Sequence, residues 1–253
     1  MRTLFAAKQI HVGVHPTAHL FGLTIDVDIV TSTLFAMAIF LYLGFRMRAK
    51  VTDGVPGKLQ LFWEILVEQV TDLAQSAIGP KGRRFVPIGV TMFLFILICN
   101  WIGFIPSALQ PGISSEILPA PTSDVNLPFA MALFVIVWVH FESFRARGVK
   151  GYFKHYAQPY VALTPINLVE EITKPITMTF RLFGNLFSGG LMILVMTTLL
   201  PIYVVPFGEI LWKPFDLIIG AIQAFIFMLL TVLYFGMAMS HEEEHDVALE
   251  ASH

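Results

Sequence analysis

An arginine in the middle of an apolar run constrains this chain more than any other feature. Thr164 to Gly190 reads TPINLVEEITKPITMTFRLFGNLFSGG and leads into an uncharged run reaching Gly208. Within it stand Glu170, Glu171, Lys174 and, deepest in, Arg181. An arginine at the centre of a membrane helix costs roughly 2.5–3.5 kcal/mol on insertion scales, so it normally faces protein or a wet cavity and has a function there. Glu170, Lys174, Thr177, Arg181, Asn185 and Ser188 succeed one another at steps of four and three, the spacing of one helix face. The intervening Ile172, Ile176, Met178, Phe180, Leu182, Phe183, Leu186 and Phe187 are apolar. The pattern predicts a membrane helix with a single polar seam and Arg181 at its middle. An arginine snorkelling to the headgroups is the alternative. The long uncharged run beyond Arg181 and the continuation of the seam weigh against it.

The composition agrees with lipid surroundings. Of 253 residues, 56% are hydrophobic and 13% charged, against about a quarter charged in soluble proteins. The fold class expected is an all-α polytopic membrane protein in one membrane domain, 1–253. It should hold about five membrane helices plus one amphipathic interfacial helix, the last two membrane helices long and steeply tilted. A net charge of -2 argues against a nucleic-acid partner. Cys99 is the one cysteine, so no internal disulfide can form, and it reads as core filling. The start, MRTLFAAKQIHVG, lacks a long apolar run before its first charges and does not read as a signal peptide. His11, His15 and His19 could align on a helix as a metal face, but Gly13 and Pro16 interrupt it and no cysteine or acid completes a set. The stretch reads as a surface segment, and no metal or cofactor is expected.

Along the chain, 1–28 is an outside N-terminal segment. The first span, 29–45, is bounded by Asp26 and Asp28 before it and Arg46, Arg48 and Lys50 after it. The basic flank should be cytoplasmic by the positive-inside rule. Residues 53–58, DGVPGK, form a turn, and 59–79 is amphipathic, with Glu64, Glu68, Asp72 and Gln75 on one face and Leu61, Ile65, Leu66, Val70 and Leu73 opposite. It should lie at the cytoplasmic interface or pack on a partner helix. A second span covers 85–105, with Asn100 near its far end. The outside loop 106–126 lacks lysine and arginine and carries Asp124 and Asn126. The third span, 127–143, contains His140 beside Glu142, read as an interfacial histidine ahead of a proton-path residue. The seam helix fills 162–200, where Pro175 either kinks it or marks a start. Residues 201–213 turn the chain outside, and 214–240 is a long last helix on which Asp216, Gly220 and Gln223 share a face. A solvated cytoplasmic tail, 241–253, ends the chain.

Two long adjacent helices with polar stripes, and no nucleophile–base pair or phosphate loop, leave movement of a small ion as the chemistry. A guanidinium does not deprotonate in proteins, so Arg181 acts as a fixed charge rather than a relay.

The segments TKPITMTFRLFGN and IQAFIFMLLTVLYFGMAMS resemble subunit a of the F-type ATP synthases, in its bacterial form. The run RLFGN is highly specific, and PINLVEE, PTSDVN and NWIGFIP extend the similarity over nearly the whole chain. The resemblance implies a proton-translocating stator subunit of the membrane sector, CF(0), with no catalysis of its own. It would form two aqueous half-channels against a rotating ring of c subunits and drive ATP synthesis. Implied partners are the c-ring, b-type peripheral stalk subunits, the remaining F0F1 subunits and membrane lipid. The implied location is the bacterial cell (inner) membrane, multi-pass, N-terminus outside and C-terminus cytoplasmic. Arg181 matches the family's arginine between the half-channels, and Gln223 the glutamine facing it. Asn185 and Asp216 would lie towards the outside half-channel, and Thr177, Lys174, Glu170 and Glu171 towards the cytoplasmic one. Asp124 and His140 complete the candidate proton path. Many relatives carry a glutamate where this chain has Gly190, and a histidine where it has Asp216. The acid would then have moved between helices, with Gly190 leaving room opposite it. The alternative for Asp216 is a helix N-cap beside Lys213 and Pro214.

Set aside from the resemblance, the residues also fit a secondary transporter binding an anionic substrate at Arg181. No internal repeat of the kind such proteins carry is visible. A scaffold docking partners on 59–79 is a third reading, and it leaves Arg181 without a role.

Overall fold

A computed structural model of the chain describes residues 17–20, 23–52, 54–103, 119–156, 164–201 and 203–239. His11, His15, most of the outside loop and the tail 241–253 lie outside the described residues. The regular structure of the described residues is helical apart from one hairpin, β1 (Thr17–Leu20) paired antiparallel with β2 (Leu23–Asp26). Apart from those eight residues the described chain has the all-α polytopic fold expected. Thr17, Thr24 and Ile25 are β-branched and favour extended backbone, and His19 sits in a strand, not on a helical face.

Six α-helices follow among the described residues: α1 (Val27–Lys50), α2 (Lys58–Ile78), α3 (Val86–Ile102), α4 (Asn126–Tyr156), α5 (Thr164–Leu199) and α6 (Val205–Met239). A 3-10 turn, Gly79–Phe85, joins α2 to α3, and a second, Pro121–Ser123, precedes α4. Among the described residues four segments are long and apolar enough to cross a membrane: Val27–Lys50, Gly82–Ile102, Asn126–Arg145 and Val205–Ala238. At α1 the charges suit the helix dipole, with Asp28 in the first turn and Arg48 and Lys50 in the last. Gln60 then braces the connection to α2. Its amide donates to the Thr52 carbonyl at 2.9 Å and accepts from the Thr52 N–H at 3.2 Å.

Two helices are longer than the sequence pattern predicts. The last begins at Val205, not at 214, so most of 201–213 is helical. Pro206 stands in the first turn, where no N–H is needed, and Pro214 is carried inside the helix. Asp216 is therefore a helix-interior residue, and the N-cap reading is excluded. Helix α4 continues past 143 to Tyr156 but breaks at Gly148 (φ 67, ψ 168). Helix α5 runs unbroken through Pro175, which rules out a start there. Its 36 residues extend about 54 Å, well beyond a hydrocarbon core of about 30 Å.

Helix α6 is the hub of the bundle and packs on α2, α3, α4 and α5. Its Phe227, Met228, Val232 and Phe235 are buried with Val90 and Leu94 of α3, Val135 and Val139 of α4, and Met178 and Leu182 of α5. Phe235 stacks on Phe85 at 4.3 Å and meets Trp138 edge-on at 6.5 Å. Gly89 lets α2, α3 and α6 converge, since a Cβ there would lie 3.0 Å from Val70 and 3.3 Å from Val232. The amphipathic α2 thus packs on protein through Val70 and Ala74, while Glu64, Glu68, Asp72 and Gln75 remain exposed. Cys99 is buried with Ala36 and Ile102 between α1 and α3. Hydroxyls in the apolar helices turn inward on their own backbone: Thr33, Thr179 and Thr231 each donate to the carbonyl four residues back.

Candidate functional site

The seam on α5 faces away from the core. Met178, Leu182 and Leu186 are buried, while Glu170, Thr177, Arg181 and Ser188 are exposed and Lys174 and Asn185 are half-buried. Phe180, next to Arg181, is 60% exposed. Among the described residues no carboxylate pairs with the Arg181 guanidinium. Its charge does reach Tyr234 of α6, as do those of Glu170 and Glu171.

Two contacts fix the register between α5 and α6. Gly189 abuts Asp216, for a Cβ built on it would lie 2.7 Å from Oδ1. At the other end the Lys174 Nζ lies 5.5 Å from the centroid of the Tyr234 ring. The helices therefore run antiparallel. Arg181 lies eight residues before Gly189 and Gln223 seven residues after Asp216, so at 1.5 Å per residue they stand at about the same level. Gln223 is buried and Arg181 exposed. Space opposite Asp216 is provided by Gly189, not by Gly190 as the sequence suggested, since a Cβ on Gly190 would meet nothing within 4 Å. Between these levels the Asn185 Nδ2 is buried without a hydrogen-bond partner among the described residues.

On the outer side of α6, Asn100 of α3 makes a buried bridge. Its amide donates to the Gly220 carbonyl at 2.8 Å and accepts from the Thr122 hydroxyl at 2.7 Å. The turn Pro121–Ser123 is thereby tied one helical turn from Asp216. In the sequence Asn100 stands out only as a polar residue near a span end, and no local pattern points to Gly220 or Thr122 as its partners. Asp124 is engaged locally, its carboxylate accepting the Asn126 N–H at 2.6 Å at the start of α4.

At the other end of the seam, Glu171 joins α5 to α4. Lys174 donates to its Oε2 at 2.7 Å, and Nε2 of His140 lies 3.6 Å from its Oε1. Beside them the buried Glu142 pairs with Arg84 and accepts from the Trp138 Nε1 at 3.4 Å. The structure thus gathers Glu171, Lys174 and His140 into one group and Gly189 and Asp216 into another, with Arg181 and Gln223 at the level between. No group of three or more histidine, cysteine or acidic residues suited to a metal ion occurs among the described residues.

Residues 29–236, which include every seam residue on both helices, match the family model described as ATP synthase A chain. This chain belongs to that family. Curated proteins named ATP synthase subunit a align over most of its length. The Mycobacterium leprae protein is 45% identical over 249 residues, 96% of this chain and 99% of its own. The Mycobacterium tuberculosis protein is 45% identical over 250 residues, covering 97% and 100%. That of Acidothermus cellulolyticus is 45% identical over 233 residues, covering 92% and 84%. The match to the ATP synthase A chain family thus runs from within α1 to within the last turn of α6.

Proposed function

We propose that this chain is the stator subunit that carries protons through the membrane sector of an F-type ATP synthase, not catalytic by itself. It works against a ring of c subunits, with b-type stalk subunits holding it fixed. It is a multi-pass protein of the bacterial cell membrane, its N-terminus outside and C-terminus cytoplasmic. A proton entering from outside passes Asn185 and Asp216 to a ring carboxylate, which turns with the ring. On its return the carboxylate meets Arg181, whose permanent charge favours the ionised form and bars a direct leak. The released proton leaves past Thr177, Lys174, Glu170 and Glu171.

The observation that carries this reading is Arg181 itself. It is an exposed guanidinium on an outward face, level with Gln223, without a carboxylate partner among the described residues. A cation so placed calls for an acid on another polypeptide. The energy scale agrees: one charge crossing 100 mV yields about 2.3 kcal/mol, so several must be gathered per ATP, as a rotary partner does.

The test is Arg181→Ala in the assembled complex, with ATP-driven proton pumping and proton-driven synthesis both measured. Both should vanish. Arg181→Lys should also fail, because a compact, strongly hydrated ammonium differs from the planar guanidinium. Pumping at the parental rate in the alanine variant would reject the assignment.

A further inference from the structure

The side chains that join α4 to α5 bear on where protons leave, given the function proposed above. Nε2 of His140 stands 3.6 Å from Glu171 Oε1, with side-chain exposures of 26% and 17%. That is an ion-pair distance for a charged imidazole and slightly long for a hydrogen bond. Glu171 gives its other oxygen to Lys174 at 2.7 Å, so Oε1 is the atom left for His140. The second ring nitrogen is covered too. The Tyr152 hydroxyl lies 3.4 Å from Nδ1, the Tyr152 ring meets the imidazole edge-on at 6.0 Å, and it stacks on Phe144 at 3.7 Å.

His140 and Tyr152 are twelve residues apart, which is about 18 Å along an unbroken helix. They touch because α4 breaks at Gly148, where φ is 67. Glycine adopts that region freely and other residues do not. A Cβ on Gly148 would meet nothing within 4 Å, so the demand for glycine there is conformational and not steric.

We propose that the Glu171–His140 pair is the mouth of the cytoplasmic half-channel, and that Tyr152, folded back at Gly148, is the positioning residue that holds the imidazole in it. A proton on Glu171 passes from Oε1 to Nε2, while the Nδ1 proton leaves through the Tyr152 hydroxyl to water. The imidazole ends as the other tautomer and is reset by turning over. Proton number balances and no further reactant is needed. Among the described residues, the ionisable groups facing His140 are Glu171 and Lys174 from α5 and Tyr152 from its own helix. Glu142 is engaged by Arg84 of the Gly79–Phe85 turn, and Tyr234 of α6 lies by the far side of the group, with the Lys174 Nζ 5.5 Å from its ring centroid and the charge of Glu171 acting on its hydroxyl.

The experiment uses the whole synthase in liposomes, driven by a potassium diffusion potential so that the pH on each side can be set separately. His140→Gln, Tyr152→Phe and Arg181→Ala are compared with the parent. His140→Gln should slow synthesis roughly tenfold, below the usual contribution of a positioned acid–base group because water can partly replace it. Tyr152→Phe keeps both ring contacts and so assembles. It should slow synthesis several-fold and shift the dependence on cytoplasmic-side pH, leaving the dependence on outer pH as in the parent. Parental rates and pH profiles in Tyr152→Phe and in an assembled His140→Gln, with Arg181→Ala inactive, would overturn the exit mouth alone. Retained coupling in Arg181→Ala would overturn the proposed function instead.

Discussion

A methyl group on Gly189 would sit 2.7 Å from Oδ1 of Asp216, and one on Gly190 would meet nothing within 4 Å. Two adjacent glycines therefore have different duties. Gly189→Ala should force the carboxylate away from α5 and lower proton-driven ATP synthesis, whereas Gly190→Ala should leave the unfolding midpoint of the purified subunit unchanged. Because Asp216 lies inside α6 rather than at its start, its carboxylate has no capping duty to explain it. Asp216→Asn keeps the shape and removes the titration. Synthesis should drop in that variant, and rates like those of the parent would show that Asp216 carries no protons. Arg181 needs no such subtlety, since its charge is permanent and only its surroundings decide its use.

Helices in this chain are held to one another by a few specific ties laid over a broad apolar core. Phe235 is fully buried against Phe85 and Trp138. Phe235→Ala should cost about 3–5 kcal/mol, read as a lower thermal midpoint in detergent. The Asn100 bridge sets where α6 sits relative to the turn Pro121–Ser123. Asn100→Leu would leave the buried Thr122 hydroxyl without its acceptor, a loss of about 1–3 kcal/mol. It should also lower synthesis beyond what the midpoint predicts, since Gly220 lies one turn from Asp216. Arg84→Ala would strand the carboxylate of Glu142. The half-exposed arginine side chain allows water to soften that loss.

As a whole the molecule reads as half of an interface. The outward face of α5 carries Ile172, Phe180 and Phe187 alongside Thr177, Arg181 and Ser188, all exposed. Lipid would accept the first group and not the second, so a polypeptide with matching polar groups is needed to cover them. The chain should therefore purify from membranes with a ring of small proteolipids. Its unfolding midpoint should rise in their presence, as for any partner that binds only the folded state. Loss of the proteolipids with no change in that midpoint would count against a stable ring contact.

Four apolar helices and the helical spacing of polar groups along α5 were legible in the residues because lipid punishes polar side chains wherever they lack a reason. A helical spacing of four and three is a local property, and so are the basic flanks at Arg46, Arg84 and Arg145. The family-bearing run around Arg181 is local as well. Contacts between helices were not legible, because they depend on rotation and register that no single segment encodes. The choice of Gly189 over Gly190 arises from the antiparallel pairing of α5 with α6. The helical start at Val205, with Pro214 carried inside the helix, likewise runs against the local preference of proline. Tyr152 reaches His140 only because Gly148 turns α4 back on itself. Local chemistry thus named the groups that can act, and only tertiary packing decided which of them meet.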